Sequence, residues 1–228
     1  MAACGEHTST VIEIGPGPGG LTARLLPHCD RLAAVELDPV LAGALRARYA
    51  DEPKFELIES DVLQTDLSRW GPAVVAGNIP YYITSPIVDR ALSLGPILLR
   101  AVFLVQKEVA DRLAAAPGSR DYGYLSVSTQ ARCKAKVLFN VKRGAFHPTP
   151  KVESAVILLE PLAEPVCDDL DGFLRFASAC FRQKRKTLRN NLADVFEKAK
   201  IDALPEASSR AEQIPVSELV RIFNILKV

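Results

Sequence analysis

Over the first 160 residues, short continuous apolar runs alternate with stretches in which apolar residues recur every three or four positions. "TVIEIG", "LAAVEL", "FELIES", "AVVAGN" and "AVFLVQ" have strand length and predict strands buried on both faces. Between them, "LTARLLPH", "PVLAGALRARYA", "PIVDRALSL" and "KEVADRLAAA" predict helices. This alternation predicts an α/β fold with a parallel sheet covered on both faces, because parallel strands need crossover connections and those are usually helices. "KAKVLFNV" and "KVESAVILLE" are instead joined by a Pro-rich turn, which predicts an antiparallel pair at the sheet edge. After Glu160 the stretch "PLAEPVCDD" changes the composition, and only helical periodicity follows. Phe173, Ala177, Phe181, Leu188, Leu192 and Val195 fall near one face of a long helix, and a second amphipathic stretch runs from Val216 to Leu226. The expected division is 1–160 for the sheet domain and 161–228 for a small helical domain.

A chain of 228 residues can bury a sizeable core, and 48% apolar with 24% charged residues is the composition of a folded globular protein. The five cysteines are odd in number and scattered, without a C-x-x-C pair or histidines at metal spacing, so a reducing compartment and no structural zinc are expected. No charged-then-apolar leader precedes Val11, and no apolar stretch reaches the ~18 residues of a membrane span. The expectation is a cytoplasmic protein with no membrane and no metal, and nothing demands more than a monomer. Net charge is only +1, so affinity for nucleic acid would have to come from clustering. One cluster exists: "FRQKRKTLRNN" holds Arg182, Lys184, Arg185, Lys186 and Arg189 with no acid, and on a helix Arg182, Arg185 and Arg189 would share a face. A mixed-sign helix face is the bland alternative; five cations of one sign favour a phosphate-binding stripe, which Lys142, Arg143 and Lys151 could extend.

"VIEIGPGPGGLT" sets Gly15, Gly17 and Gly20 at G-x-G-x-x-G spacing between a strand and a helix, where a backbone without Cβ turns tightly and lets a ligand approach. Alone the motif serves several nucleotide cofactors. Glu36 ends the second strand, where a carboxylate can accept from both ribose hydroxyls, and Asp61 follows the third, where a second can accept from an adenine amino group. Glu13 inside the first strand either approaches the cationic portion of a cofactor or holds the glycine loop. After the fourth strand comes "NIPYYITSP". An adenine amine is a poor nucleophile because its lone pair is delocalised into the ring. The Asn78 side-chain oxygen and the carbonyl of Ile79 or Pro80 would accept its hydrogens from a rigid frame, and Tyr81 would offer a face to the base. For Tyr82, core packing and base contact stay open.

"NIPYYITSP", "EIGPGPGGLT", "VELDP", "SDVL", "VQKEVADRL", "FHPTPKVESAV" and "FRQKRKTLRNNL", in this order, resemble the ribosomal RNA adenine dimethyltransferases of the KsgA type over nearly the whole chain. The resemblance implies a Rossmann-like class I methyltransferase sheet and S-adenosylmethionine as cofactor. It also implies dimethylation of two adjacent adenosines in small-subunit (16S) ribosomal RNA, with the immature 30S particle as partner. It makes Asn78, Ile79, Pro80 and Tyr81 the catalytic tetrapeptide. The implied cofactor set is Glu13, Gly15, Gly17, Glu36, Leu37, Asp61, Val62 and Asn78. Phe146 and Lys151 join the basic cluster on the RNA side, Phe146 as a second aromatic face for the base or as a hairpin-turn residue. That family also carries a segment with a Gln-Asn-Phe element ahead of the first strand that closes over the ligands; here the strand begins about ten residues from Met1, and the expectation is that this lid is missing. Three alternatives remain. One is a related large-subunit ribosomal RNA methyltransferase that confers antibiotic resistance. Another is a non-catalytic RNA-binding assembly factor. The more distant third is a nicotinamide oxidoreductase, which leaves Asn-Ile-Pro-Tyr unexplained.

Overall fold

A computed structural model describes residues 2–5, 7–147 and 149–227; Pro148, inside the quoted "FHPTPKVESAV" stretch, lies outside the described residues. The chain forms two compact units. One runs up to Ala110 and resumes over Ala135–Pro161; the other comprises Asp111–Lys134 and the segment from Leu162 onward.

The first unit is built on a seven-stranded sheet of β1 (Thr8–Ile14), β2 (Cys29–Glu36), β3 (Phe55–Glu59), β4 (Ala73–Asn78), β5 (Leu98–Gln106), β6 (Cys133–Val141) and β7 (Ser154–Pro161), in the order β3-β2-β1-β4-β5-β7-β6. β1 to β5 are mutually parallel, and β7 is antiparallel to β5, with β6 beyond it at the edge. The continuous apolar runs are strands because both sheet faces are covered: Ile12, Ala33, Val75, Ala101 and Phe103 are fully buried. The helices of this unit include α1 (Thr22–Leu25), α2 (Pro39–Arg48) and α3 (Thr84–Leu92). α2 starts sharply because Asp38 caps it, its carboxylate accepting from the N–H groups of Val40 and Leu41 at 2.8 and 3.1 Å, with Pro39 at the first helical position. α4 (Lys107–Leu113) leaves β5.

The second unit gathers α5 (Tyr124–Gln130), α6 (Leu170–Cys180), α7 (Leu188–Leu192), α8 (Lys198–Asp202) and α9 (Val216–Leu226) around Tyr122, Phe173, Phe176, Leu188, Leu219 and Phe223. The boundary expected near residue 161 therefore leaves out a segment, 111–134, whose Tyr122, Val127 and Ala131 belong to this second core. α5 has no counterpart in the apolar pattern. Its Ser126, Ser128 and Thr129 are polar, weak helix formers, yet all are buried. Ser126 Oγ accepts from Gly123 N–H at 3.0 Å and donates to Arg112 O at 2.6 Å, so fixed partners replace propensity.

The single long helix expected from Phe173 to Val195 is corrected: α6 stops at Cys180, and residues 181–187 form turns before α7. Asn191, 1% exposed, is the physical cause. Its Nδ2 donates to Cys180 O at 2.7 Å and Gln183 O at 3.2 Å, and its Oδ1 accepts from Gln183 N–H at 3.1 Å, so a side chain satisfies the groups that a continuing helix would have paired. Leu188 and Leu192 are buried as expected, whereas Val195 is exposed.

Gly77 sits where β1 and β4 come closest. A Cβ there would lie 2.6 Å from Ile14 O and 2.8 Å from Ile79 Cδ1. Gly77→Ala is expected to cost roughly 1–3 kcal/mol of stability through overpacking, read as a lower urea midpoint; an unchanged midpoint would show that the two strands part without penalty.

Candidate active site

Beyond β1 the chain turns through Gly15 and Gly17 at φ of 64° and 57°, in the left-handed region that favours glycine. A Cβ at either position would meet nothing within 4 Å, so the loop is open on its ligand side. The third left-handed glycine is Gly19 at φ 85°, not the Gly20 of the motif spacing, and a Cβ there would meet Leu45 Cδ2 at 2.9 Å.

Glu36 ends β2, is largely buried, and organises this loop. Its Oε2 accepts from Gly17 N–H at 3.0 Å and its Oε1 from Asp38 N–H at 2.9 Å. Each oxygen keeps acceptor capacity for one more donor. A cleft of about 370 Å³ opens beside it, with Gly15, Glu36, Leu37, Asp61, Val62 and Pro80 among its walls. Asp61 Oδ1 accepts from Leu63 N–H at 2.9 Å; its other oxygen has no hydrogen bond among the described residues. Leu37 and Tyr82 are 65% and 85% exposed, an unusual position for large apolar surface unless a ligand covers it. Two vicinal hydroxyls at Glu36, an amine at Asp61 and a flat ring against Leu37 and Val62 would satisfy this cleft, so its residues fit an adenosine-bearing cofactor.

Glu13 is not on the cleft wall. It is 1% exposed behind the glycine loop, where Oε2 accepts from Thr22 Oγ1 at 2.7 Å and Oε1 is buried without a partner. Burial, opposed by the Thr22 hydrogen bonds and reinforced by the nearby Glu36 carboxylate, pushes its pKa from the usual 4.5 to about 7.

The tetrapeptide follows β4 directly. Ile79 is buried and its N–H donates to Leu104 O at 3.0 Å, which pins the segment to β5. Asn78 and Pro80 on either side are exposed. The Pro80 carbonyl already accepts from Ile83 N–H at 3.2 Å and Thr84 Oγ1 at 3.4 Å. The Asn78 amide and the Ile79 carbonyl accept no hydrogen bond among the described residues. A second cavity of about 280 Å³ is lined by Asn78, Ile79, Pro80, Tyr81, Phe146 and Pro150. Pro80 thus walls both cavities, and Phe146 is brought to the tetrapeptide from the segment before β7. Tyr82 lines the first cavity, not the second.

A model of the ribosomal RNA adenine dimethylase family matches residues 5–228. The chain belongs to this family. It is 43% identical over 221 residues to "Ribosomal RNA small subunit methyltransferase A" of Chlorobium chlorochromatii, covering 95% of this chain and 82% of that protein. Among solved structures, a dimethyladenosine transferase from Plasmodium falciparum superposes with a TM-score of 0.84 at 26% identity, covering 97% of this chain and 91% of the other. The 23S rRNA methyltransferase ErmE superposes with a TM-score of 0.77 at 27% identity, covering 100% and 95%. The chain is accordingly a methyltransferase of the class I fold.

The remaining expected residues are more scattered in role. Lys151 is exposed next to Pro150 of the second cavity. Residues 181–187 form a turn and Arg189 stands in α7, which corrects the single helix face expected for Arg182, Arg185 and Arg189. Arg182 pairs with Asp194 at 2.9 Å and Arg189 with Asp202 at 2.7 Å, and Lys184 Nζ donates to Arg120 O at 3.4 Å. Arg185 and Lys186 make no ion pair among the described residues. The sequence also gave no warning of Ser154, whose Oγ lies 2.6 Å from the Tyr81 hydroxyl, although a polar residue opening the apolar run "SAVILL" was the available signal. Among the described residues no group of three or more histidines, cysteines or carboxylates could hold a metal, and no helix is long and apolar enough to cross a membrane.

The Glu13 carboxyl sets a pH dependence whose sign follows from its raised pKa. The neutral form is favoured in the folded state, so its contribution to stability is full below about 4.5 and is lost as pH rises through about 7. Glu13→Gln, which cannot ionise, should therefore gain on the wild type between pH 4.5 and pH 8, by up to about 3 kcal/mol, in paired urea unfolding curves; an identical difference at both pH values would show that the carboxyl titrates normally.

Proposed function

We propose that this chain transfers methyl groups from S-adenosylmethionine to the exocyclic amines of two adjacent adenosines in small-subunit ribosomal RNA, acting on the immature particle. The observation that carries this reading is the position of Asn-Ile-Pro-Tyr between two cavities with Pro80 as their common wall. One cavity has the acceptors for an adenosine cofactor, and the other has paired acceptors and an aromatic side chain for a purine. The 43% identity to a protein named for the small subunit supports that substrate, and among solved structures the dimethyladenosine transferase superposes better than ErmE, at TM-scores of 0.84 and 0.77. A cytoplasmic location follows from the same substrate, since that is where ribosomal subunits are assembled in bacteria such as the relative's host.

S-adenosylmethionine, when bound, supplies a methyl group on a positively charged sulfur. Glu36, Asp61 and the Gly15–Gly17 loop would hold its adenosine and fix its depth in the cleft. The Asn78 amide oxygen and the Ile79 carbonyl would each accept one hydrogen of the target amine, drawing its lone pair out of conjugation and aiming it past Pro80. Stacking on Tyr81, worth roughly 1–3 kcal/mol per base, offsets an extrusion cost of a few kcal/mol. Alignment of this kind can remove up to ~7–11 kcal/mol of a barrier. Pro80 has φ −57°, and Ile79 is anchored in the sheet, so the acceptors are held before substrate arrives.

On the RNA side, Arg185 and Lys186 are the cations of the 181–187 turn best placed to meet phosphates. Arg182 and Arg189 are committed to Asp194 and Asp202 and serve first to shape the turn that presents the other two.

Asn78→Ala should lower transfer of a labelled methyl group to immature small subunits roughly 10²-fold or more, while calorimetric affinity for S-adenosylmethionine changes far less; retained transfer would defeat the proposal. Mapping the product on purified subunits separates the two ribosomal RNA substrates, since product confined to large subunits would favour the ErmE-like reading. Arg185→Ala with Lys186→Ala should reduce the log–log salt slope of RNA binding by about 1.4, at about 0.7 per phosphate contact, and leave cofactor affinity unchanged. An equal loss of cofactor affinity would mark those side chains as structural.

A further inference from the structure

Ser154 opens β7, is 0% exposed, and pairs through its backbone register with Gln106 at the end of β5. A hydroxyl so buried costs free energy unless it finds a partner. Its partner is the Tyr81 hydroxyl, 2.6 Å away and 73 residues earlier in the chain. Tyr81 follows β4, and β5 lies between β4 and β7, so the phenol reaches across the end of one strand to bond the next.

We propose that Ser154 is a positioning residue for methyl transfer, its hydroxyl tethering the tip of Tyr81 so that the ring presents a face to the cavity shared with Asn78 and Phe146. The proposal rests on the reading of Tyr81 as the stacking partner of the target base. A tyrosine ring has two side-chain torsions, and a bond at its para oxygen restricts both while leaving the two faces of the ring uncovered. Pro80 fixes the backbone at one end of this lever, with φ −57°. Ser154 fixes the other end, on a residue held in the sheet. A base stacked on a ring held at both ends has fewer orientations open to it, and each orientation lost by the base brings its amine closer to the two fixed acceptors.

The test is a double-mutant cycle on methyl transfer to small-subunit ribosomal RNA, using wild type, Tyr81→Phe, Ser154→Ala and the double variant. Each single variant is expected to lower kcat about 3- to 10-fold, the value of one hydrogen bond, with S-adenosylmethionine affinity unchanged by calorimetry. The double variant should be no slower than the slower single one, since both remove the same bond. Losses that multiply in the double variant, or full activity in Ser154→Ala, would overturn the tether. A generally structural serine would not reproduce the non-additivity. Should Ser154→Ala fail to fold, Tyr81→Phe decides alone, because it removes the bond and leaves the ring and the buried serine in place; unchanged kcat there overturns the proposal. Tyr81→Ala separates the two levels: wild-type transfer by that variant defeats the stacking reading itself, whereas an inactive Tyr81→Ala beside a fully active Ser154→Ala defeats the tether only.

Discussion

Between β1 and β4 the direction in which the chain winds the sheet reverses. From β1 it proceeds outward to β2 and β3, then returns to lay β4 against the other side of β1 before moving on to β5. The connections leaving β1 and β4 therefore part above their carboxyl ends, and a crevice must open between them. Gly77 leaves no room for a Cβ between Ile14 of β1 and Ile79 beyond β4, so the two strands meet there over a bare backbone. The proposed chemistry is hung on that crevice, with the glycine loop on one lip and Asn-Ile-Pro-Tyr on the other.

Each lip is stiffened by a residue that serves the fold and the site together. On the first, Glu36 joins Gly17 N–H to Asp38 N–H and so connects the loop after β1 with the capped start of α2. Its carboxylate is consequently held in one orientation at the wall of the cleft. On the second, the burial of Ile79 between exposed Asn78 and Pro80 anchors the backbone by its middle residue. Preorganisation here means that both sets of acceptors are held by strands, whose positions the buried core determines. Glu13 belongs to this support: it carries Thr22 and the loop from beneath, at the cost of a buried carboxyl whose second oxygen lacks a partner.

The strands were legible because two-sided burial writes itself as an unbroken apolar run, and the ends of β1, β2 and β4 could be located from Gly15, Glu36 and Asn78. What failed to show was what long-range side chains decide. Residues 117–133 carry no apolar pattern that predicts an element, and only the burial of Tyr122, Val127 and Ala131 in the helical core joins the segment to the second unit, across the division expected near residue 161. Arg182, Arg185 and Arg189 fit one helical face, but Asn191, reaching back to Cys180 and Gln183, goes with a turn over 181–187 that separates α6 from α7. α5 is carried by Ser126 and its partners in spite of weak propensity. At the site the tetrapeptide could be picked out from its residue order and from the family resemblance, whereas the occupation of the Pro80 carbonyl by Ile83 and Thr84 could not.

Among the described residues lining the second cavity there is no carboxylate, lysine or histidine. An amine that has accepted a methyl group becomes a strong acid once its nitrogen lone pair is committed, so it gives up a proton to water without a dedicated base. The neutral lining then has a positive use. A carboxylate beside the amine would be drawn to the positive charge carried by the cofactor and to the phosphates' counter-cations alike, and would compete with Asn78 for the hydrogens that must be oriented. Neutral acceptors orient without holding a charge that product release would have to break. The second methylation poses the sharper requirement, since a monomethylated amine has one hydrogen left and only one acceptor can engage it. The other must tolerate a methyl group at contact distance, and a cavity of about 280 Å³ leaves room for one.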